Sequence, residues 1–164
     1  MSEHRPWLAH YPAGVPHEID LDEFASINDV FDSAVLKYRD KPAFTNMGKT
    51  LTYGDLDRLS RDFAGYLLGE LKLKKGDRVA IMMPNCLQYP VAVLGVLRAG
   101  LTVVNTNPMY TARELKHQLV DSGASAIVVL ENFAHVVAEV VAETAVKQVL
   151  VTGVGDMLGF PKGM

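Results

Sequence analysis

Val103-Val104-Asn105-Thr106-Asn107-Pro108-Met109-Tyr110-Thr111-Ala112-Arg113-Glu114-Leu115-Lys116-His117 is the stretch that decides the fold class of this chain. Residues 101–104 are β-formers, and 105–108 are turn residues in which Pro108 removes a donor and fixes φ. Thr111 can accept from the amide of Glu114 while the Glu114 carboxylate reaches back, the reciprocal capping box that starts a helix. Strand, polar turn and capped helix in that order are the unit of an α/β sheet. Ligands in such sheets sit at the carboxyl ends of the strands.

The same unit repeats on both sides. Upstream, the turn Lys75-Gly76-Asp77 leads into a largely apolar strand over 78–83, the kind buried on both faces of a sheet. Pro84-Asn85 breaks it. Residues 87–99 are apolar nearly all round and predict a buried helix, with Pro90 tolerable only near its first turn and Gly100 closing it. Downstream, the helix over 111–121 is stopped by Gly123, and 125–130 is another strand. Phe133, Val136, Val137, Val140 and Val141 recur at i, i+3, i+4, i+7 and i+8, an amphipathic helix, and 148–151 is a last strand. The alternation predicts an α/β fold with a mostly parallel sheet flanked by helices and right-handed crossovers.

Ahead of this lies a different pattern. Ser26-Ile27-Asn28-Asp29 resembles a capped start, followed by Val30, Phe31, Ala34 and Val35 on one helix face until Lys41-Pro42. Residues 43–46 and 49–52 flank Met47-Gly48 and predict an N-terminal β-hairpin. Thr52 caps a helix over Asp55 in which Leu56, Leu59, Phe63 and Leu67 recur at helical spacing as far as Leu71. Residues 1–25 form an extended preface. Pro6, Pro12, Gly14 and Pro16 break any helix there, and Trp7, Leu8, Tyr11, Val15 and Ile19 predict that it lies against a folded surface. The expected organisation is this preface, an α/β subdomain over 26–152, and a Gly/Pro-rich linker or truncation point over 153–164 with neither helix nor strand.

With 49% hydrophobic and 21% charged residues in 164, the composition is that of a soluble globular domain with a real core. The net charge of −3, with no basic stripe, gives no nucleic-acid footprint. Cys86 is the lone cysteine, so no internal disulfide can form, as suits a reducing compartment. The first residues carry no apolar signal-peptide core, and the longest apolar run, 91–97, is far too short to span a bilayer. A cytoplasmic protein is expected, with peripheral contact at the inner membrane left open.

Chemistry is sparse. Gly153-x-Gly155-x-x-x-Gly159 has the wrong spacing for a dinucleotide loop, and no P-loop motif occurs. His4, His10, His17, His117 and His135 form no i, i+4 pair, so no metal site is expected. Cys86 opens a helix, where a thiol can be activated, but a small buried hydrophobe is the plainer role. No catalytic residue can be assigned. Pro84, Asn85, Asn105, Thr106 and Asn107 are the candidate ligand-facing edge, at the ends of two strands. The alternative, that these asparagines only satisfy turn backbone, stays open.

Five segments carry a resemblance: residues 7–19 (WLAHYPAGVPHEI), 41–53 (KPAFTNMGKTLTY), 74–89 (KKGDRVAIMMPNCLQY), 97–118 (LRAGLTVVNTNPMYTARELKHQ) and 121–130 (DSGASAIVVL). They resemble the N-terminal part of bacterial long-chain fatty-acid–CoA ligases, a branch of the adenylate-forming superfamily. The resemblance implies a two-step reaction. ATP and a fatty acid give an acyl-adenylate and pyrophosphate with Mg2+, and coenzyme A then displaces AMP. It also implies that the family's hydroxyl-rich phosphate loop, adenine segment, magnesium-side Glu, ribose-binding Asp and mobile Lys domain lie beyond residue 164. Pro161-Lys162-Gly163 matches only the last three letters of that loop, by coincidence. The chain then corresponds to roughly the first third of such an enzyme. Alone it is expected to be inactive, without cofactor, and prone to self-associate or form a homodimer through uncovered apolar surface. The other classes considered are a free-standing nucleotide-binding α/β module and a non-catalytic interaction domain.

Overall fold

Residues 5–159 are described by the computed structural model. Their elements follow the order α1 (Ile27–Tyr38), β1 (Pro42–Asn46), β2 (Lys49–Thr52), α2 (Tyr53–Gly69), β3 (Arg78–Met82), α3 (Gln88–Arg98), β4 (Thr102–Asn105), α4 (Ala112–Ser122), β5 (Ala126–Leu130), α5 (Ala134–Val140) and β6 (Gln148–Thr152). The α/β class, the parallel sheet and the separate antiparallel hairpin are those the sequence predicts.

The sheet has the order β4-β3-β5-β6 and is parallel throughout. Its two central strands are buried on both faces, which is why β3 and β5 read as continuous apolar runs. Strand alternation divides them between two layers. Val79, Ile81, Ala126 and Val128 pack on Ala64 and Leu67 of α2 and on Ala92 and Val96 of α3. Ala80, Met82, Ile127 and Val129 pack on Leu115 and Leu119 of α4 and on Val137 and Val140 of α5.

Close approach of α2 and α3 rests on Gly95. A Cβ there would stand 2.6 Å from Phe63 Cδ1 and 3.1 Å from the Ser60 carbonyl oxygen. Pro90 sits in the first turn of α3, where its missing donor is tolerated. In the hairpin, Met47 (φ 48°) and Gly48 (φ 76°) both take the left-handed conformation that a tight two-residue turn requires.

Caps form where the sequence predicts them. Thr52 and Thr111 each complete the reciprocal box with Asp55 and Glu114. Ser26 Oγ accepts from the Asp29 amide at 3.1 Å. Gly123 ends α4 in the left-handed conformation.

Two local expectations are corrected. The helix read over 133–141 shortens to α5, with 3-10 turns at Glu131–Phe133 and Val141–Glu143. No side chain caps α5, and its one buried stripe is held by Val137 and Val140. The segment after Thr152 is not featureless: Val154–Met157 form a 3-10 turn closed by Asp156, which accepts from the Gly153 amide and the Thr152 hydroxyl. Leu158 then joins Leu51, Leu56 and Leu87 in a small core. The preface is seen in its local contacts. Pro6–His10 form a 3-10 turn, and every described side chain up to Ser26 is exposed except that of Leu8. Within the preface Arg5 pairs with Glu18, and Tyr11 makes an edge contact on His17. Pro161-Lys162-Gly163 lies outside the described residues.

Candidate functional site

Parallel register brings the two predicted edges together. Ile81 pairs with Asn105, so β3 and β4 end side by side and their following loops share one rim of the sheet. Pro84, Asn85, Asn105 and Asn107 are exposed on that rim.

Thr106 is placed differently. It is buried, its amide donates to the Ile81 carbonyl at 3.0 Å, and its hydroxyl donates to the Val104 carbonyl at 3.2 Å. Its polar groups extend the β3–β4 pairing by one step. Asn107 Oδ1 accepts from the Met109 amide at 3.0 Å and its carbonyl accepts from the Tyr110 amide, so this side chain does satisfy turn backbone.

Residues that sequence reasoning passed over hold the rim in shape. Tyr89 Oη donates to Asn105 Oδ1 at 2.9 Å, and Gln118 Nε2 donates to the Asn105 carbonyl at 2.9 Å. Gln88, beside Tyr89 on the first turn of α3, is buried and donates from Nε2 to the Gly153 carbonyl at 2.7 Å, at the end of β6. Asn46 Nδ2 reaches the Asn85 carbonyl at 3.5 Å and ties the hairpin to the same rim. The available signal was a Gln-Tyr pair opening an otherwise apolar helix, in a place where neither residue serves as a cap.

A groove of about 400 Å³ opens between hairpin and rim, lined by Phe44, Asn46, Asn85, Cys86 and Tyr89. Cys86 is half-buried there, with Sγ 3.8 Å from Met83 Sδ. A wider depression of about 780 Å³ lies at the start of α4 beside Tyr110, Arg113 and His117. The helix start beneath it is already occupied by its own chain. Hydrogen bonds from the Thr111 amide and hydroxyl hold the Glu114 carboxyl below its usual range, and the Thr52 amide and hydroxyl do the same to Asp55.

Away from the rim, Arg98 lies almost wholly buried between three helices. It meets Asp57 at 2.8 Å and Asp32 at 2.6 Å, donates to Ser60 Oγ at 3.0 Å, and stacks over the Phe31 ring. Its two carboxylate partners balance Arg98 and Arg61, leaving no net charge for a ligand. Its role is to fasten α1 to α2 and α3. Among the described residues, no group of three or more His, Cys, Asp or Glu is placed to hold a metal ion.

The profile of the AMP-binding enzyme family matches residues 31–163. A long-chain-fatty-acid–CoA ligase from Escherichia coli O6:H1 is 58% identical over 96% of the chain. The ligase of that name from Bacillus subtilis strain 168 is 38% identical over 100% of it. The chain spans 28% of the length of the first relative and 29% of the second. Among solved structures, a long-chain-fatty-acid-CoA ligase from Archaeoglobus fulgidus superposes with a TM-score of 0.71 at 25% identity, covering 81% of this chain and 29% of that one.

Proposed function

This chain belongs to the AMP-binding enzyme family, and on that premise we propose that it forms part of an ATP-dependent long-chain fatty-acid–CoA ligase. The observation that carries the reading is the 58% identity over 96% of the chain to a protein of that name. The reaction joins a long-chain fatty acid to coenzyme A through an acyl-adenylate, releasing pyrophosphate and AMP.

In this reading the rim formed by the β3 and β4 ends is one wall of the crevice. Pro84, Asn85, Asn105 and Asn107 face the ligand side, and Thr106 supports them from within. The wall orients and excludes water; the charge that develops on the transferring phosphates needs preorganised donors that the described residues do not assemble. Among the described residues no group of three or more His, Cys, Asp or Glu is placed to hold a metal ion, and no step is assigned to them through magnesium. On this reading the 164-residue chain by itself forms no acyl-adenylate. No described helix is long and apolar enough to cross a membrane; the proposed location is the cytoplasm, with peripheral contact at the inner membrane.

The test is an exchange. Replacing the matching segment of the E. coli relative by this chain should give a hybrid that forms oleoyl-CoA from oleate, ATP and coenzyme A, while the isolated chain shows no ATP–pyrophosphate exchange above a no-protein control. A folded hybrid without acyl-CoA formation sinks the reading.

A further inference from the structure

We propose that Gln88 and Tyr89 act as positioning residues that set the shape of the ligand-facing rim from both sides at once. This inference rests on the proposed ligase function and deepens it.

The sheet order is β4-β3-β5-β6, so β4 and β6 are its two outer strands. Nothing in the backbone ladder fixes the loops that follow them relative to each other. The first turn of α3 does. Tyr89 reaches one way, to the Asn105 side chain after β4, and Gln88 reaches the other way, to the Gly153 carbonyl after β6.

Each bond joins a strand end to a helix that is itself held rigidly. Ala92 and Val96 of α3 are buried against the sheet, and Gly95 is clasped against Phe63. The strut is therefore stiffer than the loops it holds.

The two ends are also finished off locally. The Asn105 carbonyl receives Gln118, so Tyr89 and Gln118 fix that residue by side chain and backbone together. Gly153 is packed closely by the carboxylates of Asp156 and Glu131, each with an oxygen 3.1 Å from where a Cβ would stand. Its carbonyl is thereby aimed at Gln88 by the surrounding turn.

Tyr89 places its hydroxyl on an exposed side chain of the rim, where a change in angle reaches the ligand without disturbing the core. A misplacement of this kind acts on turnover more than on folding.

The experiment uses the hybrid ligase described above, with melting temperature and kinetics for oleate, ATP and coenzyme A. Tyr89→Phe keeps the ring and removes the hydrogen bond. It should lower kcat/KM for at least one substrate by about threefold to tenfold, the effect of one neutral hydrogen bond. Asn105→Ala should lower it for the same substrate, and the double variant should fall no further than the worse single, because both remove one bond. Gln88→Leu tests the opposite arm; a loss of kcat/KM in the soluble, folded variant supports the strut, and Gln88→Glu should not restore it, since a carboxylate cannot donate to the Gly153 carbonyl.

An unsubstituted hybrid with no activity removes the function reading and this proposal together. An active hybrid in which Tyr89→Phe and Gln88→Leu retain full kcat/KM for all three substrates removes this proposal alone. Fully additive losses in the Tyr89/Asn105 cycle also count against it.

Discussion

The four-stranded sheet and the N-terminal third are built from similar residues but end in different states. In the sheet, each strand and the helix after it cover one another, and Ile127, Val129, Leu115 and Leu119 are fully buried. In the preface, α1 and the hairpin, large apolar side chains stay in water: Ile19 and Leu21 are about 80% exposed and Leu36 88%. The sheet closes because each crossover lays its helix back on the strands it connects. The N-terminal third has no such return. It touches the rest through α1 on α2 and α3, fastened by Arg98, and through the hairpin, where Leu51 packs with Leu56, Leu87 and Leu158. Its apolar residues await a cover that the described residues do not supply, which is the basis for expecting the chain alone to self-associate.

That contrast can be broken in order of size. Leu119→Ala should lower unfolding free energy by about 4 kcal/mol, since it opens a cavity between α4 and the sheet. Urea denaturation measures it, and a loss below about 1 kcal/mol would mean the sheet region is not the tightly packed half.

Arg98→Ala strikes the joint between the two regions. It leaves the largely buried Asp57 carboxylate with only the exposed Arg61 as a partner and removes the bonds to Asp32 and Ser60, and about 2 kcal/mol should be lost. Hydrogen exchange should show α1 opening while the amides of β3 and β5 stay protected. Uniform loss of protection would show that the two regions are a single cooperative unit.

Removing a cap is a smaller intervention. Thr111→Ala and Thr52→Ala should each cost about 1 kcal/mol, one in either region. The carboxylates they hold give the same comparison through pH. Asp55 and Glu114 titrate below their unfolded values, so the unfolded chain binds their protons more readily. Their contribution is complete above the ordinary carboxylate range, about pH 4, and disappears as pH falls through the depressed folded values. Acid titration of stability in Asp55→Asn and Glu114→Gln should be shallower than in the parent chain; identical slopes refute the linkage.

The smallest effect belongs to Leu36→Ser. The same side-chain type that is indispensable at 119 is exposed at 36, and stability should change by no more than about 0.5 kcal/mol. Sedimentation of this variant should show weaker association than the parent. A large destabilisation would place α1 deeper in the fold than its exposure indicates.

Much of the molecule could be read without coordinates, because the relevant interactions span only a few residues. Thr111 and Glu114, Thr52 and Asp55, and Met47-Gly48 are neighbours in the chain, and their side chains satisfy backbone groups that any helix start or hairpin must satisfy. The run at 78–83 announced a strand covered on both faces, and the run at 125–130 a further strand. The end of α5 was less legible, since periodicity records which face is apolar and not where the last hydrogen bond forms. In the preface, apolar anchors show that a surface is wanted, not which surface covers them.

Of the candidate site, the sequence located the strand ends and their asparagines through the order strand, turn, helix. It could not tell Asn105 from Thr106, because only strand pairing decides which of two adjacent residues turns inward to the Ile81 carbonyl. It could not find Tyr89 and Gln88, whose partners lie 16 and 65 residues away, nor Arg98, whose carboxylates lie 41 and 66 residues away. Local chemistry fixes caps, turns and the period of burial; the meeting of distant polar groups depends on how helices lie across the sheet, and that is settled only when the core between them packs.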